Sequence, residues 1–145
     1  MRFLASFFFF YLAMEWAAWA AHRYLMHGPL WWIHRDHHVR HGGFFELNDA
    51  FFLIFALPSW LGIFFGLKFH VESLTGMGFG VLAYGLTYVF VHELMIHRRR
   101  GWLPVAKRGY WGRVVRAHRA HHARAGKEDG RNFGLLWVRR PRTPP

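Results

Sequence analysis

Three long apolar stretches divide the chain, and polar segments crowded with histidine and arginine lie between and after them. The stretches run from Phe3 to Ala21, Ala50 to Phe69 and Leu74 to Val91. Each is close to the ~20 residues that a ~30 Å hydrocarbon core demands of a helix. The pattern predicts an all-α integral membrane protein with about three transmembrane helices. Shorter apolar runs at Leu30 to Ile33 and Leu135 to Val138 admit a fourth, re-entrant or interfacial, segment. The first stretch has the position of a signal peptide, but it is long and passes straight into His22 and His27 with no small-residue cleavage site. A retained helix is expected.

Composition strengthens this reading. Hydrophobic residues make up 53% of the 145 positions, with 16 Phe and 8 Trp, and a soluble globule of that size could not cover so much aromatic surface. One membrane-embedded domain over residues 1–138 is expected, followed by a basic, Pro-rich tail at 139–145 that reads as disordered. The absence of cysteine excludes disulfides, thiolate metal sites and iron–sulfur clusters.

Three spans put residues 22–49 and 92–145 on one side of the membrane, with the N-terminus and the loop His70 to Ser73 on the other. Of the 19 Lys and Arg, all but Arg2 and Lys68 fall on the first side. The positive-inside rule makes that side cytoplasmic, so a cytoplasmic, histidine-rich helical cap is predicted. The net charge of +11 then needs no nucleic-acid partner. A basic-aromatic surface can be drawn from Arg98, Arg99 and Arg100 with Trp102, Tyr110 and Trp111, but cytoplasmic flanks of membrane helices carry such charge and meet anionic lipid headgroups.

Ten of the 12 histidines form two matching sets. His22 and His27 precede His34, His37 and His38; His92 and His97 precede His118, His121 and His122. Each set reads H-x4-H, then H-x2-H-H. In H-x2-H-H the spacings i, i+3 and i+4 place three imidazoles on one helical face, able to converge on metal. In H-x4-H the side chains stand about 140° apart on a regular α-helix, so the helix must widen or end there. Gly28-Pro29 after His27, and Gly101 with Pro104 after His97, supply an ending. A lone histidine is usually structural, as His41 and His70 outside the pattern are taken to be. Ten in a repeat are too many for one ion and suit a pair of borderline metals such as Fe, Mn, Zn or Cu.

Imidazole ligands usually donate their other N–H to a carboxylate or carbonyl. Asp36, inside the second motif, and Glu93, inside the third, are the candidate orienters; Glu46 and Asp49 sit at the mouth of the second span. Glu15 lies within the first span, where an ionisable group is costly. At ~10 Å along the axis from His22 it is too distant for a ligand and suits a buried hydrogen-bond network. Gly62/Gly66 and Gly76/Gly80 make small-xxx-small faces for close helix packing, and Pro58 is expected to kink the second span.

The blocks HRYLMH (22–27), HRDHH (34–38), HELMIH (92–97) and HRAHH (118–122) resemble those of the membrane-bound fatty acid hydroxylase superfamily. FELND (45–49), AHRAHHA (117–123) and Asn132-Phe133-Gly134 resemble its branch of bacterial carotenoid ring hydroxylases. Glu93, where that branch has aspartate, and the extra His41 depart from it. The resemblance implies a non-haem diiron monooxygenase of the bacterial inner membrane, with two Fe ions, replaceable by Zn in a purified sample. It would use O2 and electrons from an external, ferredoxin-type carrier to hydroxylate carotenoid β-rings at C3, taking β-carotene through β-cryptoxanthin to zeaxanthin. A hydroxylase or desaturase of fatty acyl or other lipids would share every histidine. A non-catalytic membrane metal binder is disfavoured, because transporters place ligands within their spans and these lie at or beyond span ends.

Overall fold

The computed structural model describes residues 1–39, 45–99, 101, 103–123, 126–127 and 132–138. His41, Arg100, Trp102 and the tail at 139–145 lie outside the described residues. The elements are helical throughout: α1 (Arg2–Ala20) runs on into a π-helical segment, π1 (Ala21–Met26); then come α2 (Trp31–His38), a 3-10 turn (Leu47–Asp49), α3 (Ala50–Lys68) and α4 (Glu72–Tyr88). A second π-helical segment, π2 (Val89–Ile96), continues α4, and α5 (Gly109–His122) follows. Three helices, Arg2–Met26, Leu47–Lys68 and Glu72–Ile96, are long and apolar enough to cross a membrane. No fourth appears among the described residues: Ile33 belongs to the short α2, and Leu135 to Trp137 form bends.

The chain forms two compact units, Met1–Trp16 with Asp49–Thr87, and Ala17–Asn48 with Tyr88–Pro145. In the first, Leu4, Phe8, Phe9 and Leu12 of α1 and Leu53, Ile54, Leu57 and Trp60 of α3 all face outward. Helices that are apolar on their outer surface are suited to lipid tails rather than water. Lipid leaves no hydrophobic drive for helices to associate, so close backbone approach and interhelical hydrogen bonds hold them. The glycines supply the approach. A Cβ on Gly76 would collide with the Phe3 carbonyl oxygen of α1, and one on Gly80 would stand 2.5 Å from that of Phe7. On the other flank of α4, Gly62 packs against Gly78, and a Cβ on Gly66 would lie 2.5 Å from the Thr75 nitrogen. Thus α4 sits between α1 and α3.

Polar groups reinforce both contacts. The Tyr84 hydroxyl donates to Glu15 at 2.8 Å, Tyr11 and Thr87 pair through their hydroxyls at 3.1 Å, and Ser59 donates to the Gly78 carbonyl at 2.9 Å. Glu15 is therefore spent on a helix-bridging bond within the span. α3 continues as one helix through Pro58, and His70 occupies the exposed turn before α4 at φ 56°.

The second unit is built on π1, α2, π2 and α5. Its core is small: Val91, Val114, Val115 and Ala117 are at most 1% exposed. Seven of the other buried side chains described there are imidazoles.

Candidate metal centre

Each H-x4-H pair begins on π-helix and closes at its C-cap, His27 or His97, so the helix both widens and ends there. The i→i+5 bond brings residue i+5 nearly above residue i: the His27 N–H donates to the His22 carbonyl at 3.0 Å, and that of His97 to the His92 carbonyl at 2.9 Å. Each pair can then aim at one point.

The three-histidine faces behave otherwise. His34 and His38, i and i+4 on α2, join His22 and His27, while His37 turns to the other set. On α5, His118 and His122 join His92 and His97, while His121 crosses back. The two groups are His22, His27, His34, His38 and His121, and His37, His92, His97, His118 and His122; within each, one nitrogen per ring lies within 4.8 Å of all the others. Every three-histidine face straddles both groups, since rings at i+3 and i+4 diverge enough for two neighbouring centres.

Hydrogen bonding shows that the residues fit metal ions. His22 Nδ1 donates to the Phe133 carbonyl at 3.0 Å and His34 Nδ1 to Asn48 Oδ1 at 2.7 Å. With their protons on Nδ1, both rings present lone pairs at Nε2, yet these two atoms stand 3.1 Å apart. His37 and His92 repeat the arrangement: their Nδ1 atoms donate to Glu46 at 2.7 Å and Glu93 at 2.6 Å, and their Nε2 atoms face each other at 3.2 Å. Opposed lone pairs repel unless a cation lies between them. Cis ligands at about 2.1 Å from one ion would sit about 3.0 Å apart. His122 Nε2 is also buried without a hydrogen-bond partner. Each group could hold a metal ion.

Burial keeps these rings neutral, as ligation requires. It lowers His34 to about 4, against a smaller opposing effect of Asn48, and His97 to about 4, helped by the Arg99 charge. His38 falls to about 2 through burial and then its His34 neighbour. Burial, followed by neighbouring imidazoles, holds His37 and His118 well below the ordinary range. In metal-stripped protein these groups have folded pKa values below the unfolded 6.5, so the unfolded chain binds more protons between pH 6.5 and about 4. Stability is full above 6.5 and is lost on acidification, by about 1.4 kcal/mol per pH unit for each such group. The melting temperature of chelator-treated protein in detergent should hold above pH 6.5 and fall from there to pH 4.5. A flat profile would contradict this burial.

The supports differ partly from those read in the sequence. Glu93 holds His92. Asp36 accepts the backbone N–H groups of Leu47, at 2.6 Å, and Asn48, at 3.4 Å, so it fixes the segment that carries Glu46 and Asn48. Those two, with the carbonyls of Phe133 and Lys127 (the latter 3.2 Å from His27 Nδ1), are the supports that sequence reasoning missed. FELND was legible as a block, but nothing local assigned its Glu to His37 and its Asn to His34. The Phe133 and Trp31 rings wall the first group, both packing against His27. A cavity of about 690 Å³ opens on the second group beside Glu46, Arg98, Arg99 and Arg119.

This arrangement, histidine pairs on widened helices and histidine triplets shared between two pockets, suits a metal-binding protein whose helices are apolar enough to cross a membrane. The fatty acid hydroxylase family profile matches residues 7–139, and the chain belongs to that family. Among its relatives, the β-carotene hydroxylase of Pseudescherichia vulneris is 41% identical over 130 residues, covering 90% of this chain and 73% of that protein. That of Pantoea ananas is 40% identical over 127 residues, covering 88% and 72%. The chloroplastic β-carotene 3-hydroxylase of an Oncidium hybrid cultivar is 43% identical over 125 residues, covering 83% and 40%. No solved structure matches the chain significantly.

Proposed function

We propose that the chain is an O2-dependent carotenoid hydroxylase that adds a hydroxyl at C3 of β-rings, converting β-carotene to β-cryptoxanthin and then zeaxanthin. The observation that carries it is the pair of five-imidazole pockets in a chain whose relatives bear the name β-carotene hydroxylase over nearly all of its length. Two iron ions, when bound, supply the O2 activation that no side chain can provide. Each turnover consumes O2, two electrons and two protons, and releases water with the alcohol.

The chain's own part is binding and orientation. His22, His27, His34, His38 and His121 bind one ion, and His37, His92, His97, His118 and His122 the other. Glu46, Glu93, Asn48 and the Phe133 and Lys127 carbonyls hold Nδ1 protonated, so that Nε2 points inward. Trp31 and Phe133 shield the first pocket from water. An apolar substrate enters from the bilayer, and electrons come from an external, acidic ferredoxin-type carrier. Charge complementarity to Arg98, Arg99 and Arg119 at the open cavity supports docking there. The reading further puts the histidine motifs on the cytoplasmic side of the bacterial inner membrane, supported by the bias of Lys and Arg.

A fatty acyl substrate is the second reading, favoured by the family's description. Expression in bacteria already making β-carotene separates the two. Chromatography should reveal β-cryptoxanthin and zeaxanthin. Unchanged pigment despite stable, iron-loaded protein would sink the carotenoid assignment and leave the lipid one.

A further inference from the structure

The oxygens that steady the two pockets differ in charge. Around the first group, Nδ1 of His22, His27 and His34 meets a carbonyl, a carbonyl and a side-chain amide. In the second, His37 and His92 meet carboxylates. One guanidinium joins those carboxylates: Arg99 Nη2 lies 2.9 Å from Glu46 Oε2, and Arg99 Nε lies 2.8 Å from Glu93 Oε2. The links His37, Glu46, Arg99, Glu93 and His92 therefore close a ring through the two Nε2 atoms that face each other at 3.2 Å.

The backbone is shaped to make this ring. The Arg99 N–H donates to the Glu93 carbonyl at 3.0 Å, capping the end of π2, and the preceding Arg98 takes a left-handed φ of 55°. A non-glycine residue in that region is strained and persists only where its surroundings over-determine it. The Arg99 side chain is 20% exposed, against 5% for Glu93, and it lines the open cavity while pairing with both carboxylates.

We infer that Arg99 is a positioning residue for one metal site only, holding Glu46 and Glu93 at the spacing that lets His37 and His92 share an ion. The inference rests on the dimetal reading above. Without Arg99 two like charges would face each other beside the pocket, and their repulsion would splay the two imidazoles. A lysine cannot span both, because its ammonium is a single point whereas the planar fork sets two separated nitrogens at ion-pair distance, 2.9 and 2.8 Å, from the two carboxylates. The first pocket takes its supports from Asn48, Phe133 and Lys127, none of which bonds through Arg99 in these contacts.

The test is metal titration of full-length, chelator-stripped protein in detergent. Co(II) serves as the probe, read by its visible bands and by chelator competition. Wild type should take up two ions. Arg99→Gln should weaken one step by about 10–100-fold, the usual effect of losing an outer support, and leave the other step and its bands unchanged. Arg99→Lys should recover only part of the loss. His37→Ala should abolish the step that Arg99→Gln weakens, and His22→Ala the other. Equal weakening of both steps, no weakening, or full rescue by lysine would overturn the inference while leaving a dimetal enzyme standing. Wild-type protein binding fewer than two ions would overturn both.

Discussion

Alanine at His37 and alanine at His121 should each abolish hydroxylation, and each should empty the pocket belonging to the opposite half of the chain. His37 lies between His34 and His38 in sequence but groups with His92, His97, His118 and His122; His121 lies between His118 and His122 but groups with His22, His27, His34 and His38. In metal analysis, His37→Ala should therefore behave like His92→Ala, and His121→Ala like His22→Ala. Product formation should fall by more than about 100-fold, beyond the range typical of outer supports, because each variant removes a nitrogen from the ion itself. Membrane insertion should survive, since neither residue belongs to a candidate span. Activity persisting in either variant, or metal loss following the sequence halves, would contradict the crossed arrangement.

The second large effect lies far from the histidines. Gly80→Leu should prevent a stable protein, at a cost of about 3 kcal/mol or more, the upper end of overpacking losses. A Cβ there would stand 2.5 Å from the Phe7 carbonyl oxygen and 3.2 Å from the Tyr11 nitrogen. Both are backbone atoms of α1 and cannot rotate aside. Gly85→Ala, five positions further along α4 where nothing lies within 4 Å, is the matched control. It should retain or slightly raise stability, because alanine loses less backbone entropy in a helix. The two are compared by monodisperse yield in detergent and by melting temperature. Equal tolerance would mean that α1 and α4 do not approach closely at Gly80.

Much of the fold was legible because membranes impose simple rules. Hydrophobic length marked the three helices, and the glycine pairs at 62/66 and 76/80 marked where backbones meet, since only small residues allow that approach. The H-x4-H spacing stated its own difficulty, a helix that must widen or end, and the chain widens at both copies. Less legible were the supports. Glu93 adjoins His92 and could be guessed, whereas Asn48, Glu46 and the Phe133 and Lys127 carbonyls reach their imidazoles from 9 to 111 positions away. No periodicity encodes such a distance. Asp36 looked like a ligand support because of its place among histidines, but it binds the backbone of Leu47 and Asn48, one step further out.

By itself, the sequence determined the number of apolar helices, the ten histidines and their duplicated spacing, because these depend on composition and on the geometry of a single helix. Only the tertiary structure decided how the ten divide. On both α2 and α5 the rings at i and i+4 stay together while the ring at i+3 diverges to the other group, but the spacing of one helix does not say which partners wait on either side. The docking of α2 and α5 against the widened turns settles it, sending His37 and His121 across so that each pocket draws four imidazoles from one half of the chain and a fifth from the other.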